Sequence, residues 1–306
     1  MSTSTPKPLD INLPQRPRRL RRTSALRGLV REHQLSVDDL IQPLFVKDGN
    51  DEPTVIASMP GCFRLNLEDL IKEIKELDRL GVPAVALFPA LDDNLKNTIA
   101  SESTNPEGLL QRTCRRIKAE VPNILIITDV AMDPYSSDGH DGYLKDDLID
   151  NDITLKILGD MAVAQAAAGS DIVAPSDMMD GRVGHLRQRL DEAGFQHVSI
   201  LAYSAKYCSA FYGPFRDALD SAPRGGDKKT YQMDPANATE ALREVALDLE
   251  EGADIVMVKP GLPYLDIVRQ LKDQFSAPIA AYHVSGEYAM IKAGAEKGWI
   301  DEKKVV

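Results

Sequence analysis

Short apolar runs alternate with longer amphipathic stretches from about residue 40 almost to the end of this 306-residue chain. Strands joined by helical crossovers give this pattern, and such crossovers place neighbouring strands parallel. Several helical stretches end at a glycine, as at Gly81, Gly169 and Gly252, where a left-handed helix cap is favourable. The pattern predicts seven strands, at residues 40–46, 84–88, 124–130, 171–174, 198–203, 254–258 and 278–282.

Seven such units without a break in composition predict an α/β fold, and they favour a single TIM (β/α)8 barrel with an extended N-terminal arm. A doubly wound open sheet would give similar local signals and remains the alternative. No eighth strand is seen, so residues 35–306 are predicted to form a TIM-barrel catalytic domain truncated before strand eight. Residues 1–34 are rich in Pro and Arg, and we expect them to be an arm for oligomer contacts.

The composition narrows the function classes. The 36 basic and 47 acidic residues give a net charge of −11, which argues against nucleic-acid or membrane-surface binding. Cys62, Cys114 and Cys208 are scattered and odd in number, so a reducing compartment is expected. The sequence has no apolar run of membrane-spanning length and no secretory signal at its start, which together predict a cytoplasmic location. One basic cluster near the start fits subunit docking better than nucleic acid: Arg16, Arg18, Arg19, Arg21, Arg22 and Arg27.

Two lysines, Lys206 and Lys259, stand where predicted strands end and loops begin. Burial and a second nearby cation both favour the neutral amine of a lysine, and a neutral amine attacks carbonyls. The carboxyl ends of the strands form the face on which TIM barrels build their active sites. The two residues therefore predict a pair of Schiff-base lysines, whereas each one alone could be a solvated lysine at a strand end.

Acidic and polar residues follow the third and fourth predicted strands. Carboxylates at this density suit Mg²⁺ or general acid–base chemistry, with a solvated loop of Asx-turns as the alternative. The residues after the third strand are Asp129, Asp133, Asp138, His140 and Asp141. Those after the fourth strand are Ser176, Asp177 and Asp180.

A Gly-rich, basic and aromatic segment follows Lys206, and we call residues 207–235 the lid. Loops of this composition close over anionic substrates and exclude water. Arg216, Lys228 and Lys229 could hold a carboxylate there, with the arginine best suited to a bidentate contact.

Six motifs resemble those of the porphobilinogen synthase (5-aminolevulinate dehydratase) family, and the resemblance extends from about Arg16 to Val306. They are Ala-Pro-Ser-Asp-Met-Met-Asp-Gly-Arg, Tyr-Ser-Ala-Lys-Tyr, Phe-Tyr-Gly-Pro-Phe-Arg, Thr-Tyr-Gln-Met-Asp-Pro, Val-Met-Val-Lys-Pro-Gly and Tyr-His-Val-Ser-Gly-Glu-Tyr. The resemblance implies a TIM barrel with an N-terminal arm that assembles into a homo-octamer. It also implies the condensation of two 5-aminolevulinate molecules to porphobilinogen, with loss of two waters, in tetrapyrrole (heme or chlorophyll) biosynthesis.

The resemblance further implies roles for individual residues. Lys259 would form the Schiff base with the propionate-side substrate, and Lys206 would bind or condense with the acetate-side molecule. Ser285 would meet the propionate-side carboxylate. The acetate-side carboxylate would be met by Arg216 and by Lys228 or Lys229. Further substrate contacts are expected from Asp129, Ser176, Tyr203, Phe211, Gln232 and Tyr282, and the lid side chains from Phe211, Tyr212, Arg216 and Lys228.

Zinc-dependent members of that family carry three cysteines where this chain has Ala131, Asp133 and Asp141, which excludes a thiolate zinc site. The chain instead resembles the aspartate-type branch, in which Mg²⁺ acts at an allosteric position matched here by Glu244. Asp133 and Asp141 remain candidate ligands for an active-site cation, either Mg²⁺ or a monovalent ion, and the alternative is no metal there. In the family, the eighth strand supplies a tyrosine for the propionate-side carboxylate, and no residue of this sequence matches it.

Two other functions are compatible with the sequence. A class I aldolase also uses a Schiff-base lysine at a barrel strand end, although it needs only one. A catalytically silent barrel could bind a ligand or a partner through its arm, which would leave the two lysines and the lid unexplained. The order of Schiff-base formation and the choice between an octamer and a smaller assembly are left open by the sequence.

Overall fold

The computed structural model describes residues 11–219 and 225–306, except for the side chains of Arg216 and Asp217. The chain forms two compact units that divide between Asp39 and Leu40. None of the described helices combines the length and the apolar character needed to cross a bilayer.

The described part of the first unit, residues 11–39, is locally structured and contains no buried residue. It has 3-10 turns at Pro17–Arg21 and Val37–Asp39 and one short helix, α1 (Ser24–Leu29). Thr23 caps α1, since its Oγ1 accepts a 3.1 Å hydrogen bond from the Leu26 amide. Large apolar side chains are exposed, with Leu29 at 82% and Leu35 at 76%.

The second unit alternates strands and helices. Its strands are β1 (Ile41–Lys47), β2 (Thr54–Val55), β3 (Phe63–Leu65), β4 (Ala84–Ala90), β5 (Leu125–Val130), β6 (Leu144–Lys145), β7 (Leu148–Ile149), β8 (Ile172–Pro175), β9 (Ser199–Lys206), β10 (Ile255–Lys259) and β11 (Ile279–Ala281). Its helices are α2 (Leu67–Leu80), α3 (Leu109–Glu120), α4 (Asn151–Ala167), α5 (Arg182–Glu192), α6 (Gly213–Leu219), α7 (Ala238–Glu251), α8 (Leu265–Gln274), α9 (Ser285–Glu296) and α10 (Glu302–Val305). All seven predicted strands are confirmed, as β1, β4, β5, β8, β9, β10 and β11.

These seven strands are parallel, and each pairs with the next one along the chain, in the order β11-β10-β9-β8-β5-β4-β1. A doubly wound sheet reverses its strand order at a switch point, and this order contains no reversal. The topology therefore agrees with the predicted TIM barrel and not with the open-sheet alternative. Among the described residues no strand follows β11, so the structure describes seven barrel strands.

The helices cover the sheet with apolar faces, as α2 illustrates. Asn66 caps its start by accepting a 2.9 Å bond from the Asp69 amide, and Gly81 ends it in the left-handed conformation at φ 83°. The buried face consists of Leu70, Ile71, Ile74 and Leu77. Full burial of such side chains contributes roughly 1.5–3 kcal/mol each, so this face fixes the helix on the sheet.

Candidate active site

Lys206 and Lys259 end the neighbouring parallel strands β9 and β10 and are register partners. Adjacent strands lie roughly 4.8 Å apart, and register partners in a parallel pair project from the same face of the sheet. Both side chains are buried, each 6% exposed. The two amines therefore belong to one enclosed site at the carboxyl ends of the barrel strands.

A β-bulge in β9 sets this alignment. Ala202 lies opposite Val256, whereas Ala205, three residues later, lies opposite Val258, which is only two residues later in β10. One extra residue is therefore accommodated in β9, and such bulges re-aim the side chains that follow them. With an unbroken register Ala205 would face Lys259, and no lysine pair would form.

Aromatic rings surround the Lys259 amine and shield it from water. Burial lowers the pKa of Lys259 to about 7, and the positive charge of Lys206 acts in the same direction. A substantial fraction of this amine is therefore neutral at physiological pH, as a nucleophile requires. The ring centroids lie 4.5 Å (Tyr282), 4.9 Å (Phe215), 5.0 Å (Tyr203) and 5.5 Å (Tyr212) from its Nζ.

Lys206 has a more polar environment than Lys259. Its Nζ donates to the Ser176 carbonyl oxygen and, at 3.1 Å, to Asp141 Oδ2. The other oxygen of Asp141 accepts a 2.5 Å bond from Lys228 of the lid. Burial alone would raise the pKa of Asp141, but the two ammonium groups outweigh it and hold that pKa well below its usual range.

Asp129 and Asp133 lie close to this ion-pair network and are also buried. Burial, and then the charge of Asp133, raise the pKa of Asp129 to about 7, although a hydrogen bond with the Ser176 side chain acts the other way. Among the described residues, Asp129 Oδ1 has no hydrogen-bond partner. Asp129 can therefore hold or release a proton near neutral pH beside two lysines.

The described parts of the lid, residues 207–219 and 225–235, pack over the lysines. His140 contacts it through the Tyr231 hydroxyl at 3.0 Å and the Gly225 carbonyl oxygen at 2.9 Å. The Tyr212 hydroxyl donates to the Lys259 carbonyl oxygen at 3.0 Å. Lys229 instead points to the surface and pairs with Asp227, so Lys228 is the lid lysine that the structure brings to the site.

The N-terminus of α9 is hydrogen-bonded to the backbone of the lid. Ser285 Oγ accepts a 2.9 Å bond from the Phe215 amide and donates to the Phe211 carbonyl oxygen at 3.2 Å. A Cβ at Gly286 would lie 2.5 Å from that carbonyl oxygen, so only glycine permits this approach. Arg216 lies in α6, but its side chain is outside the described part of the chain.

Two cavities meet at Lys259. The larger, of about 210 Å³, connects the amine with Tyr282 and Ser285. The smaller, of about 30 Å³, connects it with Lys206, Lys228 and Gln232. The predicted propionate-side and acetate-side residues thus lie on different sides of the same lysine.

Glu244 is half-buried on α7, about halfway along the helix, and lines a separate cavity of about 500 Å³ with Asp180 and Glu240. Burial raises its pKa, and Asp248, Glu240 and Asp180 add to the rise against the opposing charge of Arg182. Mg²⁺ prefers carboxylate oxygens and commonly keeps several waters, so this roomy acidic cavity fits the ion. No preformed set of three or more His, Cys, Asp or Glu ligands occurs in the described ranges.

Asp133 and Asp141 do not fit a bound cation in the same way. Both oxygens of Asp141 accept bonds from ammonium groups, and Asp133 Oδ2 lies 3.5 Å from the Nζ of Lys228. A cation at this position would face two lysines. Positive charge is already supplied there by the protein.

Two residues of the site were not singled out from the sequence. Phe215 belongs to the aromatic wall around Lys259, and Glu287 lies buried behind the α9 N-terminus. Glu287 belongs to the motif Tyr-His-Val-Ser-Gly-Glu-Tyr, but the N-cap of α9 is Val284, so the usual capping-box pattern of the sequence is absent there. Phe215 belongs to the motif Phe-Tyr-Gly-Pro-Phe-Arg, but its place in the aromatic wall depends on how the lid folds back.

The chain is similar to known delta-aminolevulinic acid dehydratases over almost its whole length. A 304-residue match to delta-aminolevulinic acid dehydratase, chloroplastic, of Glycine max is 55% identical and covers 99% of this chain and 74% of that protein. The delta-aminolevulinic acid dehydratase of Bradyrhizobium diazoefficiens is 54% identical over 292 residues, with 95% and 83% covered.

These relatives correct the predicted cytoplasmic location, which is wrong. The similar proteins of Glycine max, Physcomitrium patens and Selaginella martensii are all described as chloroplastic. Unpaired cysteines indicate a reducing environment but do not say which compartment provides it.

The chain is also similar to a solved structure. Delta-aminolevulinic acid dehydratase from Toxoplasma gondii ME49, in complex with the reaction product porphobilinogen, superposes with a TM-score of 0.94 at 53% identity. The match covers 96% of this chain and 84% of that one, and it confirms the TIM-barrel prediction. The family model described as delta-aminolevulinic acid dehydratase matches residues 14–306. The chain belongs to the delta-aminolevulinic acid dehydratase family.

Proposed function

We propose that this chain is a porphobilinogen synthase, which joins two 5-aminolevulinate molecules into porphobilinogen with loss of two waters. The observation that carries the proposal is the buried pair Lys206 and Lys259, aligned on adjacent strands beneath a closed lid. A class I aldolase needs one such lysine, and the second would then have no role. The pair therefore favours a reaction with two carbonyl substrates.

Schiff-base formation begins at Lys259, whose pKa of about 7 supplies a neutral amine. The amine attacks the ketone carbon of the propionate-side substrate, a C–N bond forms, and the ketone oxygen takes up protons and leaves as water. The aromatic wall keeps bulk water away, which protects the resulting imine from hydrolysis. Asp129 lies beside this centre with a pKa near 7 and can carry the protons that the step moves.

The 210 Å³ cavity between Lys259 and Ser285 takes the propionate-side molecule. The helix α9 begins at Ser285, and the start of a helix favours a carboxylate. Tyr203 and Tyr282 flank the amine and shape the space for the substrate chain.

The second molecule lies on the Lys206 side, under the lid. Lys228 and Gln232 line the small cavity there and are the described candidates for its carboxylate. Lys228 is already paired with Asp141, so a substrate carboxylate must share or replace that contact. Arg216 and Phe211 complete this subsite in our proposal, on the strength of their positions in the lid sequence.

Glu244 is the proposed ligand of an allosteric Mg²⁺, which adds positive charge to the acidic cavity with Asp180 and Glu240 when bound. Glu244 lines neither of the two lysine cavities, which supports a regulatory role for the ion. No zinc is required in this proposal, because Asp133 and Asp141 replace thiolate ligands and already pair with lysines.

The arm supports a proposed homo-octamer. Its large apolar side chains, including Leu20 and Leu29, are exposed within the single chain and would be covered by a neighbouring copy. The mass in solution, measured with and without Mg²⁺, tests this assembly. A monomer that ignores Mg²⁺ would contradict it.

Borohydride trapping with 5-aminolevulinate, followed by peptide mass mapping, tests the proposed reaction. An adduct at Lys259, with or without one at Lys206, is the expected result. A Lys272→Met variant should be trapped equally well, because that lysine is exposed on α8. A folded protein that forms no adduct would favour the silent-barrel alternative.

A further inference from the structure

Glu287 is a buried carboxylate that no step of the proposed reaction uses, and it is only 1% exposed. Its Oε2 accepts a 2.7 Å bond from the Val284 amide, at the start of α9. Its Oε1 accepts a 2.6 Å bond from the Leu262 amide, in the loop that follows Lys259. One carboxylate therefore joins two loops that are distant in sequence.

A helix cap explains only half of this arrangement. The bond to Val284 closes the first turn of α9, as the third residue of a capping box does. The bond to Leu262 adds nothing to α9, because Leu262 begins the 3-10 turn that leads into α8. The carboxylate thus lies between the starts of two helices, where both helix dipoles favour a negative charge.

The two loops carry the two ends of one proposed substrate subsite. Lys259 immediately precedes the first loop, and Ser285 immediately follows Val284 in the second. The same cavity is lined by both Lys259 and Ser285. A backbone bond, from the Gly261 amide to the Tyr282 carbonyl oxygen at 2.8 Å, also connects the loops.

We propose that Glu287 is a positioning residue that fixes Ser285 relative to Lys259, so that one substrate molecule can be held at its carboxylate and its ketone together. The inference rests on the proposed function and deepens it. Lys259 itself is held by the β9–β10 pairing and the aromatic wall. Loss of Glu287 should therefore disturb the carboxylate end of the subsite more than the amine.

Two five-carbon ketones, one with a carboxylate and one without, separate these effects. The first is 4-oxopentanoate, which is 5-aminolevulinate without its amino group, and the second is 2-pentanone, which has the ketone but no carboxylate. Both can be trapped on Lys259 with cyanoborohydride and quantified by intact mass. In Glu287→Gln one of the two amides faces an NH₂ group instead of an oxygen, so one link is lost.

For Glu287→Gln we expect the half-trapping concentration of 4-oxopentanoate to rise about tenfold, which corresponds to about 1.4 kcal/mol. That of 2-pentanone should stay within about twofold, since it uses only the amine. Equal changes for both ligands, or no change for either, would overturn the inference. Failure of the unmodified protein to trap either ligand would instead overturn the proposed function.

Two further variants control for folding. Asp150→Ala removes another helix cap, the 3.0 Å bond from the Ile153 amide at the start of α4. It should lower stability without changing the ratio of the half-trapping concentrations of the two ligands. Glu287→Asp keeps the charge but is too short to reach both amides. It should give the same ligand-selective loss and serves if Glu287→Gln does not fold. If Asp150→Ala also weakened the trapping of 4-oxopentanoate selectively, Glu287 would act only as a helix cap and the inference would be overturned.

Discussion

Asp141 accepts a 2.5 Å hydrogen bond from the Lys228 ammonium and so ties the lid to the floor of the site. Its other oxygen holds Lys206. The lid therefore cannot open without breaking a buried ion pair that also positions a proposed catalytic lysine. Closure of the lid and the ion pair of Lys206 with Asp141 therefore depend on each other.

Asp141→Asn should destabilise the protein by roughly 3–5 kcal/mol, because it leaves two buried ammonium groups short of a counter-charge. Urea unfolding at pH 7 measures the loss. The pKa of Asp141 is lowered in the fold, so its stabilisation is present above about pH 4 and is lost as the pH falls further. The difference between the two proteins should therefore shrink in acid.

A surface ion pair on the same lid is the control for that variant. Asp227→Asn removes the exposed partner of Lys229 and should change the unfolding midpoint little. A similar loss in both variants would mean that burial of Asp141 is not the cause.

The rate of adduct formation at Lys259 should rise with pH and reach half its maximum near pH 7. The reason is that burial and Lys206 lower the pKa of this amine to about 7, and only the neutral form attacks the ketone. Initial rates of 4-oxopentanoate capture across the neutral range measure the midpoint. A midpoint near that of a free lysine, about pH 10.4, would contradict the buried-amine mechanism.

Lys206→Met should move that midpoint to higher pH, because the variant removes the neighbouring positive charge and leaves nearby carboxylates that favour the ammonium form. Lys272→Met, on the surface of α8, should leave the midpoint unchanged. A shift to lower pH in Lys206→Met would show that the two amines do not interact in this way.

Asp129→Asn should move the midpoint in the opposite direction, to lower pH, because the Asp129 carboxylate favours the charged form of Lys259. Turnover should fall by roughly 10²–10⁴-fold, the range of general acid–base contributions. Capture rates and turnover together are the readout, and unchanged turnover would remove Asp129 from the proposed proton path.

Mg²⁺ should stimulate turnover, and Glu244→Gln should abolish the stimulation while the basal rate remains. The carboxylate is the proposed ligand, and the neutral amide binds Mg²⁺ less well. Glu250→Gln, an exposed residue of the same helix, is the matched control. Complete loss of activity with a zinc-selective chelator would contradict the zinc-free proposal.

The sequence predicted the barrel because strand-length apolar runs and helical periodicity are local properties. Lys206 and Lys259 were predictable for the same reason, since each ends a strand. Their alignment was not, because the bulge at residues 202–205 depends on how β9 pairs with β10. Periodicity along one strand contains no information about the register of its neighbour.

The positions of the lid side chains were also not predictable from the sequence. Composition predicted a closing loop, yet Lys228 and Lys229 are adjacent and indistinguishable in sequence. The structure buries the first against Asp141 and leaves the second with Asp227 at the surface. The backbone path of the lid determines which of the two lysines is buried, and residue types alone do not specify that path.

The lysine pair depends on the number of residues in β9, because the bulge sets which residue lies opposite Lys259. The identity of the bulged residues matters less. Inserting one residue between Ala202 and Ala205, without enlarging the bulge, would move the next lysine of β9 one position beyond Lys259. Because side chains alternate along a strand, that lysine would turn to the outer face of the barrel. A chain with every predicted site residue intact would then have a single amine in its active site.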